Sequence, residues 1–194
     1  MALKHRPAAL LATALALCAL LLAPAAASAI VRGVMPNCKV ATAAASAIPR
    51  EAPTARLGRA AVCLINRQRA ARGLPRLRIN PKLSRAARRH TRDMVRRRYF
   101  SHTSPRGSDM LGRVKRTGYL NGNFSWTVGE NIAWGTRRLG SPMRIVQAWM
   151  HSPGHRANLL NGRFRELGIG VVAAGPTPTE LAAATYTTTF GGRR

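Results

Sequence analysis

The chain has 194 residues, with 32 Lys and Arg against 6 Asp and Glu, for a formal net charge of +26. That length suits one domain with a sizeable core, and past the N-terminal leader no segment is long and apolar enough to span a membrane. Arginine supplies 28 of the cations and is spread over every segment with few aromatics between, a pattern that fits a coding bias better than specific nucleic-acid recognition, which needs base-stacking groups. A salt-sensitive attraction to anionic envelope components or lipid headgroups is still expected.

Lys4, His5 and Arg6 form a basic start, Ala8 to Ala23 is apolar, and Ala27-Ser28-Ala29 is a small-residue cleavage signal. Residues 1–29 therefore read as a secretory signal peptide, and the chain as secreted, extracellular or envelope-associated. Residues 30–53 lack periodicity and read as a tether; residues 54–194 read as the folded domain. Two cysteines follow the leader, Cys38 and Cys63, and in an exported chain an isolated pair reads as one disulfide.

Leu57, Ala61, Leu64 and Ile65 recur at helical spacing over 55–72, and Gly73 stops that helix. Asn80-Pro81 is a cap followed by proline, opening a helix to Arg98. Its apolar face carries Leu83, Ala86, Ala87, His90, Met94 and Val95, which makes His90 a satisfied core residue; its other face is arginine-rich and solvated. Ser108 is expected to cap a short helix that ends at Gly118. Residues 125–134, SWTVGENIAW, read as extended or irregular around Gly129. Ser141-Pro142 opens a helix to Met150 with Met143, Val146 and Trp149 inward, and Ser152-Pro153 opens a further turn to Leu160. Residues 167–173 and 182–190 read as strands. Trp126, Trp134 and Trp149 are assigned to the core, with lining of a cleft the alternative for Trp134, and Asp93 and Glu166 to arginine pairs. Asp109 is assigned to the first turn of its helix. The sum is an α+β domain of four helices and about three strands.

Three side chains stand out because their types are scarce: His102, Glu130 and His155, each in a loop or at an element end among Gly, Ser and Pro. Two imidazoles and a carboxylate suit a divalent cation such as zinc, or general acid/base work. Equally, Glu130 and His155 serve as structural hydrogen-bonding groups. Read alone, the residues favour the structural role. No GxSxG elbow or HExxH is present.

Six motifs in order carry a resemblance. They are CLINRQRAARGLPRLRINPKLSRAARRHTRDM, YFSHTSPRG, GENIAWG, WMHSPGHRANLL, FRELGIGVV and ATYTTTFGG. The chain resembles the CAP superfamily (cysteine-rich secretory, antigen 5 and pathogenesis-related proteins; the SCP domain), in its bacterial extracellular branch, over roughly residues 60–192. The resemblance implies an α-β-α sandwich with a central antiparallel sheet and a large cleft holding two histidines and two acids. His102, Glu130 and His155 match three of the four. The second acid falls three residues after the family tryptophan, and here Ser152 stands at that distance from Trp149. The missing acid weakens both a tight metal site and inherited catalysis. The expected function is a non-catalytic extracellular module that binds a ligand or envelope component in this cleft. The alternative is a divalent-metal-assisted hydrolase of peptide or cell-wall substrates.

Overall fold

A computed structural model describes residues 44–122, 125–179 and 181–193. The leader 1–29 and Cys38 lie outside the described residues. In chain order the elements are α1 (Thr54–Ala70), β1 (Arg78–Ile79), α2 (Pro81–Arg96), α3 (Met110–Lys115), β2 (Trp126–Thr136), a 3₁₀ turn (Arg137–Gly140), α4 (Pro142–His151), α5 (Pro153–Leu160), β3 (Glu166–Val172) and β4 (Ala183–Arg193). The strands form one sheet in the order β1-β3-β4-β2. β4 is antiparallel to both neighbours, while the two-residue β1 runs parallel to β3. That parallel edge is a departure from the all-antiparallel sheet, and β1 is too short to leave a periodic signature.

The helices follow their local signals. The Asn80 side chain accepts from the Lys82 and Leu83 amides, and Ser141 accepts from Arg144, so both expected caps form. The short α3 is capped one residue later than expected. Asp109, not Ser108, accepts from the Gly112 amide at 2.7 Å. Residues 126–136 form one regular strand running through Gly129, because β4 offers an unbroken ladder partner along its whole length.

β4 is buried on both faces from Ala183 to Gly192, as a central strand in a three-layer sandwich must be. On one face Leu57, Ile65, Ile145, Trp149, Tyr186 and Phe190 form the main core with α1 and α4. On the other face α2 lies directly on the sheet. Alternation along β3 makes this possible: Ile169 faces α1, while Gly168 and Gly170 face α2. A Cβ on Gly168 would stand 2.1 Å from the Leu83 carbonyl carbon, and one on Gly170 would stand 2.6 Å from that of Ala87. Gly168→Ala should therefore force the helix off the sheet at a cost of about 1–3 kcal/mol. A urea midpoint equal to wild type would show that α2 does not rest on that backbone.

Three side chains assigned to the core lie outside it; Trp134 is only partly buried and joins no core cluster. Trp126 is 43% exposed at the start of the edge strand β2, and Met143 faces solvent on α4. Trp149 is buried and donates from its indole nitrogen to the Ile132 carbonyl at 3.1 Å. Residues 44–53, read as tether, lie against the domain: the Met143 amide donates to the Ala45 carbonyl at 2.9 Å, and Ala44 packs with Ala60 and Cys63. Among the described residues no helix is long and apolar enough to cross a membrane.

Candidate functional site

The site grows from the strand period. Consecutive residues of β2 point to opposite faces of the sheet. Glu130 points toward α2 and α3, while Gly129 and Asn131 point toward α5. No side chain larger than hydrogen fits at Gly129 without displacing Asn158 and Phe164, which would stand 2.9 and 3.0 Å from a Cβ there. Asn131 donates to the His155 carbonyl at 3.0 Å. Asn158 donates to the Glu130 carbonyl at 3.2 Å and to Asn131 Oδ1 at 2.9 Å. The GEN triplet thus ties β2 to α5 while its middle residue faces the other way.

Glu130 is a buried carboxylate, its side chain 2% exposed. Arg113 from α3 meets both oxygens, at 2.8 and 3.0 Å. His102 Nδ1 lies 2.9 Å from Oε1. Arg113 is itself buried, and also donates to the carbonyls of Ser108 at 2.7 Å and His102 at 2.8 Å. One guanidinium therefore neutralises the acid and holds the His102 loop against it. Charge-assisted contacts of this kind are the stronger class of hydrogen bond. His102 keeps about half its side chain exposed.

Of the three residues expected to act together, the structure joins His102 and Glu130 directly. His155 meets a different partner: its Nδ1 lies 2.9 Å from Ser152 Oγ. Ser152 occupies the cap position of α5 but makes no cap bond, so its hydroxyl serves the imidazole instead. The hydroxyl thus orients a histidine at the position where the resemblance expects an acid. Burial, with a smaller contribution from the charge of His102, lowers the His155 pKa.

His90 departs from the expectation of a satisfied core residue. It is buried, but its Nε2 has no hydrogen-bond partner among the described residues and stands 3.7 Å from Glu130 Oε1. Burial lowers its pKa to about 4, outweighing the attraction of Glu130, with Arg113 lowering it further. The ring is neutral at pH 7, so its contact with Glu130 is not an ion pair. Because the unfolded chain takes up the proton near the ordinary value of about 6.5, stability contributed by neutral His90 is complete above that pH. It falls as pH drops toward 4, by up to about 3 kcal/mol. Urea midpoints measured from pH 7 to 4 should decline, and His90→Gln should flatten the decline. Equal slopes for the two proteins would count against this assignment.

Arg113 had no sequence signal. It is one of 28 arginines, and only its burial beside Glu130 distinguishes it. His151 is exposed at the end of α4, with Nδ1 2.8 Å from the Gln147 carbonyl. Asp93 does pair with Arg96 and Arg97, at 3.7 and 3.9 Å, but its closest contact is the Tyr99 hydroxyl at 2.7 Å. Glu166 accepts from Asn80, Tyr119 and Arg193, which locks the start of β3 to α2 and β4. Glu130 is a poor metal ligand, because both its oxygens are taken by Arg113. His102 and His155 contact the protein through Nδ1, the usual arrangement of a ligating histidine, so any ion would rest on their two Nε2 atoms, short of the three protein ligands usual for zinc. Among the described residues no group of three or more His, Cys, Asp and Glu side chains is arranged to hold an ion.

The family model described as the cysteine-rich secretory protein family, CAP, matches residues 62–188. The chain belongs to that family. It is 39% identical over 118 residues to the Bacillus subtilis (strain 168) protein YkwD, covering 60% of this chain and 43% of the relative. Among solved structures it is similar to an extracellular protein containing a SCP domain from Bacillus anthracis, at 28% identity and a TM-score of 0.56, over 72% of this chain and 43% of that one. It also shares its fold with an outer surface protein from Borrelia burgdorferi, at 21% identity and a TM-score of 0.61, over 74% and 97% of the two chains. The chain spans less than half the length of the curated relatives it matches.

Proposed function

We propose that this CAP domain is a secreted, non-catalytic module that binds a ligand or cell-envelope component in a cleft walled by His102, Glu130 and His155. Export is supported by the leader pattern of residues 1–29 and by the extracellular SCP-domain protein it resembles. The observation that carries the non-catalytic reading is the Arg113–Glu130 pair. A general base or metal ligand needs a free lone pair aimed at the chemistry; this carboxylate spends its oxygens on a guanidinium and on orienting His102. The exposed imidazole of His102 and the half-buried one of His155 are then recognition groups.

The test is native mass spectrometry of the protein secreted by its own host, beside His102→Ala and His155→Ala. A retained mass present on wild type and lost from both variants is expected. Hydrolysis of peptide or cell-wall substrate by wild type that disappears in Glu130→Gln would overturn the reading. It would favour the metal-assisted hydrolase, in which the two remaining imidazole nitrogens hold a divalent cation such as zinc. That ion would be short of the three protein ligands usual in catalytic zinc sites. Calorimetry with Zn²⁺ on wild type and His155→Ala separates the two.

A Cys38–Cys63 disulfide is part of the same proposal. Cys63 packs against Ala44, and a six-residue span of chain reaches about 20 Å, so Cys38 is within range. Intact mass after alkylation, with and without reduction, should differ by two alkyl groups. Two alkylated thiols without reduction would exclude the bond.

A further inference from the structure

His90 and Arg113, the neighbours of Glu130, also line a pocket of about 500 Å³. Seven of the twelve residues that line it are arginines, against one carboxylate, so its field is strongly positive. The arginines come from separate parts of the chain: Arg89, Arg92 and Arg96 from α2, Arg106 from the turn before α3, and Arg113 and Arg116 from α3 and its end. A solvated helix face explains a row of charges along one helix. It does not explain guanidinium groups from two segments converging on one concavity, where like charges repel.

The segment that brings Arg106 there is internally fixed. The Ser104 amide donates to the Ser108 carbonyl at 3.0 Å, the Gly107 amide to the Ser104 carbonyl at 2.8 Å, and the Ser108 amide to Ser104 Oγ at 3.1 Å. Gly107 has a φ of 77°, in the left-handed region, where glycine carries no steric penalty. The carboxylates nearby offset only part of this charge. Asp93, also held by the Tyr99 hydroxyl at 2.7 Å, pairs with Arg96 and Arg97, and Glu130 pairs with Arg113, so Arg89, Arg92, Arg106 and Arg116 have no carboxylate partner among the described residues. Arg113 also keeps a buried donor, Nε, without a hydrogen-bond partner among the described residues. A buried unmet donor is costly, and an acceptor brought by a ligand would satisfy it.

We propose that this pocket binds a ligand bearing clustered phosphate groups, either a soluble oligophosphate or the headgroup of an anionic phospholipid. Guanidinium matches phosphate geometry through paired N–H donors, and the volume admits more than one phosphate. The proposal is independent of the cleft reading, because His102, Glu130 and His155 do not line the pocket.

The experiment compares the full chain with two triple variants of equal charge loss. R92Q/R96Q/R106Q removes exposed pocket arginines and leaves Arg113 in place. R56Q/R59Q/R67Q removes exposed arginines from α1, away from the pocket. Sodium tripolyphosphate binding is read by calorimetry at about 0.15 M salt, where long-range attraction is screened. Co-sedimentation is read with phosphatidylcholine vesicles with and without phosphatidylglycerol. The pocket variant should lose roughly tenfold or more in affinity, as expected for removing several phosphate contacts, while the α1 variant stays near wild type. Loss confined to tripolyphosphate identifies a soluble oligophosphate as the source; loss confined to anionic vesicles identifies a lipid headgroup. No binding of either probe by wild type, or equal loss in both variants, overturns the proposal. Matching thermal melts confirm that the variants fold, and R106Q alone serves if the triple does not.

Discussion

Arg113→Ala is expected to destabilise the protein by about 3–5 kcal/mol, the range for breaking a buried ion pair by removing one member. The substitution leaves Glu130 charged and almost wholly out of water, with His102 as its remaining close contact. It also removes the donors that hold the Ser108 and His102 carbonyls. Arg113→Lys should recover only part of the loss, because an ammonium cannot span both carboxylate oxygens and two carbonyls. Glu130→Leu added to Arg113→Met should be far milder than Arg113→Ala, since replacing both members with apolar groups leaves no orphaned charge. Arg116→Ala, exposed at the end of the same short helix, is the control and should shift stability by under about 0.5 kcal/mol. Urea denaturation reads all four. If Arg113→Ala and Arg116→Ala unfold at the same midpoint, the pair is not what holds the site.

Arg69→Met should cost at least about 3 kcal/mol, because methionine fills much of the volume but leaves several carbonyls unpaired, and each buried unmet group costs about 1–3 kcal/mol. Arg69 is fully buried within the helical layer, on α1. Its guanidinium donates to four carbonyls: Pro75 at 2.9 Å, Leu159 at 2.8 Å, Asn161 at 3.0 Å and Phe164 at 3.2 Å. These lie in the turn after α1, in the last turn of α5 and in the α5–β3 connection, so one side chain ties two connections and a helix end together. Burial, with repulsion from Arg165, lowers the Arg69 pKa, yet arginine stays charged at neutral pH. Arg69→Lys should also fail to restore stability, because one ammonium cannot reach four acceptors. Thermal denaturation beside wild type measures both. An unchanged midpoint for Arg69→Met would remove this crosslink from the features that hold the α5–β3 connection.

Much of the fold was legible because its signals are local. Apolar residues at helical spacing placed α1 and α2, Asn80 and Ser141 marked caps, and Gly73 marked a stop. The misplacements share a cause. Trp126 and Met143 are large and apolar, but burial depends on what lies opposite them, and edge positions offer nothing. Ser108 and Asp109 are equally good caps by type, and the helix geometry chose Asp109. Ser152 reads as a cap from Ser-Pro, but a competing partner one helical turn on, His155 Nδ1, takes its hydroxyl. Residue scarcity found His102, Glu130 and His155. It could not find Arg113, Arg69 or the arginine pocket, because arginine is the commonest cation in the chain.

By itself the sequence determined the helices, the two long C-terminal strand segments, the membership of the CAP family and which scarce side chains to watch. Those follow from propensities and spacings that act over a few residues, and from motifs that stand in order. Only the tertiary structure decided which charge meets which. Glu130 lies 17 residues from Arg113 and 28 from His102 along the chain. Their meeting required alternation in β2 to turn Glu130 toward α2, and Gly168 and Gly170 to let α2 lie on the sheet. Electrostatic partnership falls off with distance in space, not in sequence, so the lock on Glu130 and the phosphate pocket beside it exist only once the layers are packed.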